Sequence, residues 1–152
     1  MITLNGTWQM NCKGEDSWQE GQVPGTVYTD LLRNGQMKDP YVGENEDEVR
    51  DLSYNDYTYR RTFEVEEKTL QNTKNVLVCE GLDTLADVYL NGTHMGNCEN
   101  MHRTYRFDVT ELLKAGTNEI VVELHSPLKY MEEQYEKRPL WGVSSTCLLY
   151  TS

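Results

Sequence analysis

Apolar and polar residues alternate with a period of two in several short segments of the chain. Ala86, Val88 and Leu90 are apolar and alternate with polar or amphipathic residues, which predicts a strand with one face against a core. The segments 57–65 and 118–125 follow the same pattern. The run 76–79 is instead apolar throughout, which predicts a central strand buried on both faces. These segments predict a mostly β protein.

Turn and capping residues separate these strands. Asn91 and Gly92 tolerate positive φ, so the pair predicts a tight hairpin turn. Thr26 predicts the N-cap of a short helix, and Ser126 followed by Pro127 predicts the start of a second one. The apolar residues that share one face of this second helix are Leu128, Met131 and Tyr135. The sequence therefore predicts an all-β fold with a few short helices.

Four side chains carry further expectations about the core. Trp8 is expected to be a core anchor, because a large ring on a strand buries much area. Arg61 interrupts an apolar strand face, so it needs a carboxylate or a carbonyl partner, and a structural ion pair is the favoured one. Val78 and Leu90 are both expected in the core, where substitution by Ala costs roughly 1–5 kcal/mol.

A polar loop between Met37 and Glu48 has two interpretations. It contains Pro40, Gly43 and a dense group of acidic residues. In the first interpretation, Asn45 caps a brief helix and Glu48 reaches back to it, which would be a capping box. In the second, the loop carries function, as long irregular loops often do. The residues alone leave both open.

Charge and composition exclude several classes of partner. The chain has 152 residues, enough for one domain with a core, and a formal net charge of −11. Its 14 Lys and Arg residues are scattered, which argues against nucleic-acid binding. No apolar run approaches the ~20 residues of a membrane helix, and the N-terminus lacks the pattern of a signal peptide. We therefore expect no membrane partner, and a cytoplasmic protein whose chain starts directly in its first strand.

Cysteine and histidine spacing gives no sign of a metal or a cofactor. The four cysteines form no Cys-x-x-Cys pair, so reduced thiols are expected rather than a zinc or redox site. The three histidines are not at ligand spacing with one another or with a cysteine. We expect no metal site and no cofactor.

Several separated motifs resemble one family. They are the segment 81–92 (Gly-Leu-Asp-Thr-Leu-Ala-Asp-Val-Tyr-Leu-Asn-Gly), the pair Asn100-Met101, and the segment 105–110 (Tyr-Arg-Phe-Asp-Val-Thr). With these motifs the chain resembles the N-terminal sugar-binding domain of family 2 glycoside hydrolases, and most of all that of the β-mannosidases. The resemblance runs from about Leu4 to about Pro127 and implies a jelly-roll β-sandwich.

The same resemblance implies a division of the chain and a set of site residues. Residues 1–138 would form the sugar-binding domain, and 139–152 a truncated or foreign tail. Asp39, Asn45 and Glu46 resemble a family loop at the rim facing the catalytic barrel. Where the family has an Asp between two tryptophans lining its sugar site, this chain has only Leu140-Trp141-Gly142. The implied substrate-binding residues are therefore Asp39, Asn45, Glu46 and Trp141.

The resemblance implies an accessory function and no catalytic residue in this chain. In retaining glycosidases two carboxyl groups lie about 5–5.5 Å apart, and the family places them in a later barrel that alone needs about 250 residues. The chain would be a fragment of an exo-acting β-mannosidase that meets its β-mannoside substrate and its own barrel only in the parent enzyme. The alternatives are a free-standing carbohydrate-binding module, or the same domain of a β-galactosidase or β-glucuronidase.

Overall fold

Antiparallel strands provide most of the regular structure in the computed structural model, which describes residues 1–139 apart from the side chain of Asp47. The strands are β1 (Gly6–Cys12), β2 (Gln19–Val23), β3 (Tyr57–Val65), β4 (Val76–Cys79), β5 (Leu85–Leu90), β6 (Thr93–Cys98), β7 (Tyr105–Asp108) and β8 (Gly116–His125). The helices are α1 (Val27–Arg33), α2 (Asn45–Leu52), α3 (Glu67–Leu70) and α4 (Pro127–Lys137).

The strands form two antiparallel sheets. The larger sheet has six strands in the order β2-β1-β3-β8-β5-β6, and the smaller one pairs β4 with β7. The longest pairing in the larger sheet joins β3 to β8, from Tyr57 opposite Leu124 to Val65 opposite Gly116. The mostly β fold with antiparallel sheets and short helices is confirmed. Of the short helices, α3 was not predicted from the sequence.

The core lies against one face of the six-stranded sheet. In β1, β3, β5 and β8 alternate residues point into the core, as the alternation predicted for 57–65, 86–90 and 118–125. Buried residues among these include Trp8, Met10, Tyr57, Tyr59, Val88, Leu90, Ile120 and Val122. The expected burial of Trp8 and Leu90 is confirmed. The opposite face presents the intervening polar residues, and this is where Asp87 and His125 lie.

The strand β4 differs from its prediction as a strand buried on both faces. Val76 and Val78 are each 42% exposed, while Leu77 packs against the core. One face of β4 therefore packs on the core, and the other faces solvent. The expectation that Val78 lies in the core is therefore wrong.

We predict that the two valines of β4 and β5 respond differently to the same substitution. Val88 is fully buried, so Val88→Ala should lower the free energy of unfolding by about 2–3 kcal/mol through lost burial and the remaining cavity. Val78→Ala should lower it by less than about 1 kcal/mol, because half of that side chain already meets water. Urea denaturation of both variants measures the difference, and equal losses would contradict the assigned faces.

The predicted turns and helix starts are confirmed. Thr26 is the N-cap of α1, and its hydroxyl accepts a hydrogen bond from the backbone N–H of Thr29 at 3.2 Å. Ser126 caps α4 in the same way, with the backbone N–H of Lys129 at 3.3 Å. Asn91 and Gly92 have φ values of 50° and 80°, so both use the left-handed region that the hairpin turn requires.

The guanidinium of Arg61 bonds to backbone carbonyls instead of a carboxylate. It donates to the carbonyl oxygens of Leu4 at 2.8 Å and Asn5 at 2.7 Å. The indole N–H of Trp8 donates to the same Leu4 oxygen at 2.7 Å. The favoured ion pair is wrong, because the N-terminal segment passes beside β3 and offers two carbonyls. These bonds hold that segment against the sheet.

A buried carboxylate joins α1 to the sheet. Asp30 has no exposed surface, and it accepts hydrogen bonds from the Tyr59 hydroxyl and from the Arg33 guanidinium, both at 2.8 Å. The backbone N–H of Gln22 approaches both of its oxygens, at 3.1 and 3.2 Å. Burial and the hydrogen bond to Asp30 raise the pKa of Tyr59. A side chain at Gly21 would lie 2.7 Å from the Tyr59 ring, so this position needs glycine.

Candidate functional site

The predicted rim residues lie in an exposed segment that closes on itself and consists of a loop and the first two residues of α2; we call it the loop 39–46. The side-chain amide of Asn45 donates to the carbonyl oxygen of Asp39 at 2.9 Å, and the Asp39 carboxylate accepts from the backbone N–H of Tyr41 at 2.9 Å. Tyr41 and Val42 at the loop tip are 77% and 60% exposed. The loop therefore has a defined shape while its tip faces solvent.

The predicted capping box at Asn45 is wrong. Asn45 is the first residue of α2, and the N-cap position is Glu44, whose side chain makes no capping bond. The Asn45 amide points back along the chain to Asp39. Glu48 instead pairs with Lys38, at 2.7 Å. The start of α2 is thus held by loop closure, which explains Asn45 without a cap.

The structure brings only part of the predicted site together. Asp39 and Asn45 are in contact. Glu46 is exposed on the first turn of α2. Trp141 lies outside the described residues. Their role in binding substrate stays a prediction.

A groove of about 340 Å³ lies beside this loop. The segment before the loop and one side of α2 line it with Gly35, Gln36, Met37, Lys38, Glu48, Val49 and Leu52. Met37 and Val49 are buried and join the groove to the core. The loop thus extends from a packed base, which fixes where its tip is presented.

A second polar cluster, which sequence reasoning missed, surrounds Asp87 on the outer face of β5. The imidazole Nε2 of His94 is 2.6 Å from Asp87 Oδ1, and Nε2 of His125 is 2.8 Å from Oδ2. The side-chain amide of Asn97 also donates to Oδ1. Burial raises the pKa of Asp87, but the hydrogen bonds from His125 and His94 together outweigh it and hold that pKa below its usual value.

The cluster continues from His125 to the start of α4. His125 Nδ1 lies 3.9 Å from Asp56 Oδ2, and Asp56 Oδ1 accepts from the backbone N–H of Ser126 at 2.9 Å. The hydroxyl of Ser126 donates to the carbonyl oxygen of Ser53 at 2.6 Å. The signal for this cluster was the outward position of Asp87, but its partners depend on strand register, which the sequence does not reveal.

We predict that Asp87 makes stability depend on pH in the acid range. A carboxyl whose folded pKa is depressed stabilises the fold above its unfolded pKa of about 3.9, and that stabilisation is lost as the pH falls through the folded pKa. The difference in free energy of unfolding between the wild type and Asp87→Asn should therefore narrow as the pH falls below about 4. Urea denaturation at several pH values measures it.

The control for this comparison is Asp16→Asn, which removes the same charge from an exposed position in the β1–β2 turn. It accounts for the effect of lowering the overall negative charge. A difference between wild type and Asp87→Asn that stays constant down to pH 3 would contradict the prediction.

Neither a metal-binding group nor a membrane-spanning helix is found in the described part of the chain. Among residues 1–139, no group of three or more His, Cys, Asp and Glu side chains is arranged to hold a metal ion. No helix in the same residues has the length and apolar character needed to cross a membrane.

Comparison with known families accounts for the fold. Residues 8–150 match the glycosyl hydrolase 2 galactose-binding domain-like family. The chain belongs to this family. The resemblance and the fold that it implied are confirmed.

The curated relatives that this family member resembles are β-mannosidases. It is 35% identical to the β-mannosidase of Capra hircus over 147 residues, which is 96% of this chain and 16% of the relative. It is 30% identical to a probable β-mannosidase of Caenorhabditis elegans, covering 90% of this chain and 15% of the relative. The chain thus spans about 16% of the length of the goat relative and corresponds to the N-terminal part of such proteins.

Solved structures support the same relationship. The β-D-mannosidase of Dictyoglomus thermophilum matches with a TM-score of 0.88 and 39% identity, over 91% of this chain and 17% of that one. The exo-chitosanase of Amycolatopsis orientalis matches with a TM-score of 0.68 and 20% identity, over 79% of this chain and 16% of that one. The second likeness shows a shared fold alone.

Proposed function

We propose that this chain is the N-terminal accessory domain of an exo-acting, retaining β-mannosidase that hydrolyses terminal β-D-mannose residues. In the parent enzyme the domain packs on the catalytic barrel and shapes its sugar pocket. The observation that carries the proposal is the 39% identity and TM-score of 0.88 with one β-D-mannosidase. A β-glucuronidase of the same source organism shares the fold at 16% identity with a TM-score of 0.58, which favours the mannosidase over that alternative.

An exposed apolar surface on α4 supports packing against another part of the parent. Tyr130, Met131 and Tyr135 are 45%, 47% and 60% exposed, although a helix of a globular protein normally buries its apolar residues. Met131 and Tyr135 belong to the face that the sequence predicted to be apolar. Since the chain spans about 16% of the goat relative, most of a parent of that length remains to cover such a surface.

The loop 39–46 supports a role at the rim of the sugar pocket. Its Asn45–Asp39 bond fixes its shape in the domain alone, and a preformed loop can position a substrate without a further ordering cost. We propose that Asp39, Asn45, Glu46 and Trp141 contact or position the mannoside in the parent. The support is the exposure and closure of the loop together with its resemblance to the family rim.

The catalytic carboxyl groups are proposed to lie in the barrel. A retaining mechanism needs a nucleophile and an acid/base about 5–5.5 Å apart, and the acidic residues considered above have structural partners. Asp30, Asp87 and Asp56 each hold hydrogen bonds that join elements of the fold. The chain alone should therefore not hydrolyse p-nitrophenyl β-mannoside.

A domain exchange tests the proposal. Residues 1–139 would replace the matching region of the Dictyoglomus thermophilum β-D-mannosidase, and hydrolysis of p-nitrophenyl β-mannoside would be compared with an enzyme lacking that region. The chimaera should retain activity within about tenfold of the intact enzyme, and the deletion should lose far more. A folded chimaera that is as inactive as the deletion, or one that prefers a glucuronide, would overturn the proposal.

A further inference from the structure

The outer face of the six-stranded sheet, which points away from the core, carries a row of side chains that crosses every strand of the sheet. Residues paired directly across neighbouring strands have side chains that start about 5 Å apart, so the row forms one continuous surface. We call it the outer row. In strand order from β2 to β6, its members are Glu20, Gln9, Arg60, Val121, Tyr89 and His94.

Contacts within the outer row and with Trp18 hold its side chains in place. The guanidinium carbon of Arg60 lies 3.6 Å from the centre of the Trp18 ring, and its Nε donates to the side-chain oxygen of Gln9 at 2.8 Å. The ring centres of Tyr89 and His94 are 5.1 Å apart. A partner therefore meets a preformed surface, which lowers the ordering cost of binding.

The centre of the outer row has the residue types of a protein interface. Interfaces are enriched in Trp, Tyr and Arg and depleted in Lys. Here Arg60 is stacked on Trp18, and Val121 places an apolar side chain between Arg60 and Tyr89. None of the strands β1, β2, β3, β5, β6 and β8 contains a lysine. This composition favours a protein partner over solvent.

Carboxylates surround the apolar centre of the outer row. Glu119 and Glu123 flank Val121 on β8, and Glu20 ends the row on β2. Within residues 1–139, these three carboxylates form no ion pair and no hydrogen bond. Partial burial and the charge of Glu123 raise the pKa of Tyr89. The surface therefore fits a partner whose apolar centre is surrounded by Lys and Arg.

We propose that the outer row is a docking surface for the part of the parent enzyme that lies outside this chain, and that this part presents apolar side chains surrounded by lysine and arginine. The inference rests on the proposed function, because the partner is the parent enzyme, and it adds the face and the chemistry of the contact. The chain spans 17% of the Dictyoglomus thermophilum β-D-mannosidase, so most of a parent of that length remains to supply the partner.

Two further observations favour this partner over a second copy of the chain. The chain has a formal net charge of −11, so a second copy would bring its own excess of carboxylates against Glu119 and Glu123. The outer face also continues into α4, because Asp87 and His125 on that face share a cleft of about 310 Å³ with Lys129 of α4. One partner can therefore cover both the outer row and the exposed surface of α4.

Hydroxyl-radical footprinting tests the docking surface, because Trp, Tyr and His side chains react according to their exposure. The full chain alone and the chimaera described above would be labelled, and the rate at each side chain measured by mass spectrometry. Trp18, Tyr89 and His94 should react at least about threefold more slowly in the chimaera, since the centre of an interface excludes water. His102, which is exposed between β6 and β7, is the control and should react equally in both.

A matched pair of valine variants separates the two outer faces of the molecule. Val121→Glu places a carboxylate in the outer row, and Val78→Glu places one on the exposed face of β4. In the chimaera, Val121→Glu should return Tyr89 and His94 to their rates in the isolated chain, because an unpaired carboxylate would be buried. Val78→Glu should leave their protection unchanged. Neither valine is in the core, so both isolated variants should keep melting temperatures within about 5 °C of the wild type.

A charge reversal tests the chemistry of the partner. Glu123→Lys would place a cation against the proposed lysines and arginines, and like charges across an interface disfavour association. It should therefore raise the labelling rate of Tyr89 in the chimaera at least about threefold. Unchanged protection in this variant would contradict a basic partner surface.

The labelling rates distinguish this inference from the proposed function. Equal rates at Tyr89 and His94 in the isolated chain and the chimaera would overturn the docking surface. Protection of Tyr89 that appears in the isolated chain as its concentration rises would overturn it as well, because the occupant would be a second copy. If the chimaera is active and Tyr135 of α4 alone is protected, the accessory function stands without the outer row. If Tyr89 is protected in an inactive chimaera, the docking surface stands and the mannosidase assignment falls.

Discussion

Replacing Asp30 by Ala is expected to lower the free energy of unfolding by about 3–5 kcal/mol, the range for removing one partner of a buried charged network. The substitution leaves the hydroxyl of Tyr59 and the backbone N–H of Gln22 without their acceptor in a buried setting, and each unsatisfied buried donor costs about 1–3 kcal/mol. Arg33 is half exposed, so its guanidinium can turn to water at little cost. Urea denaturation at neutral pH measures the loss.

Two further variants serve as comparisons for this prediction. Asp51→Ala removes a carboxylate from an exposed position on α2, and it should change stability by less than about 0.5 kcal/mol. Tyr59→Phe removes the hydroxyl that bonds to Asp30, and its cost in the Asp30→Ala background should be much smaller than in the wild type. A loss below about 1 kcal/mol for Asp30→Ala would show that the buried carboxylate does not hold α1 on the sheet.

The sequence predicted the burial of the strands in which apolar and polar residues alternate. It predicted the burial of β4 wrongly, because that strand has no alternation. On β3 and β5 one face meets the core and the other meets solvent, so burial imposes an alternation that is visible in the residues. Val76–Cys79 is apolar throughout, and such a run is compatible with one covered face or two. Whether one face or both are covered depends on which elements pack above and below the strand, which is a tertiary property. In the structure Leu77 packs against the core, while Val76 and Val78 are each 42% exposed.

Buried polar residues were harder to predict than apolar ones. Asp30 is one of 25 acidic residues, and nothing nearby in sequence distinguishes it from those on the surface. Its partner Tyr59 is 29 positions away. Asp87 and His125 are 38 positions apart, and they meet only because β5 lies beside β8. Such contacts follow from strand register, which a single sequence does not specify.

The candidate rim was predictable as a loop but not in its detail. Pro40, Gly43 and the density of polar residues indicated an irregular segment. The same residues suggested that Asn45 caps α2, because Asn is a favoured N-cap. The structure uses its amide for a contact with the Asp39 carbonyl oxygen. A cap would use the amide oxygen as an acceptor, whereas this contact uses the amide nitrogen as a donor, so the choice depends on the path of the loop.

Asn45→Ala is expected to lower kcat/KM of the chimaeric enzyme by about 10–100-fold while its melting temperature hardly moves. If the loop 39–46 positions the mannoside, loss of the bond between Asn45 and the Asp39 carbonyl releases the loop tip, and a small misplacement of a positioning group can reduce the rate about 10²-fold. The cost to the fold is small, because this exposed bond contributes about 1 kcal/mol or less.

The matched control for Asn45→Ala is Asp51→Ala, which removes an exposed side chain that lies on the same helix and does not line the groove beside the loop. Exposed substitutions of this kind change stability by less than about 0.5 kcal/mol, so the control should change neither kcat/KM nor the melting temperature. Steady-state kinetics with p-nitrophenyl β-mannoside and thermal unfolding of the three proteins decide the question. A lower melting temperature with unchanged kinetics would show that Asn45 serves the fold, and it would remove Asp39, Asn45 and Glu46 from the proposed sugar pocket. Reduced kcat/KM at an unchanged melting temperature requires the loop to act on the transition state, since a contact that only stabilises the domain leaves the reaction barrier unaltered.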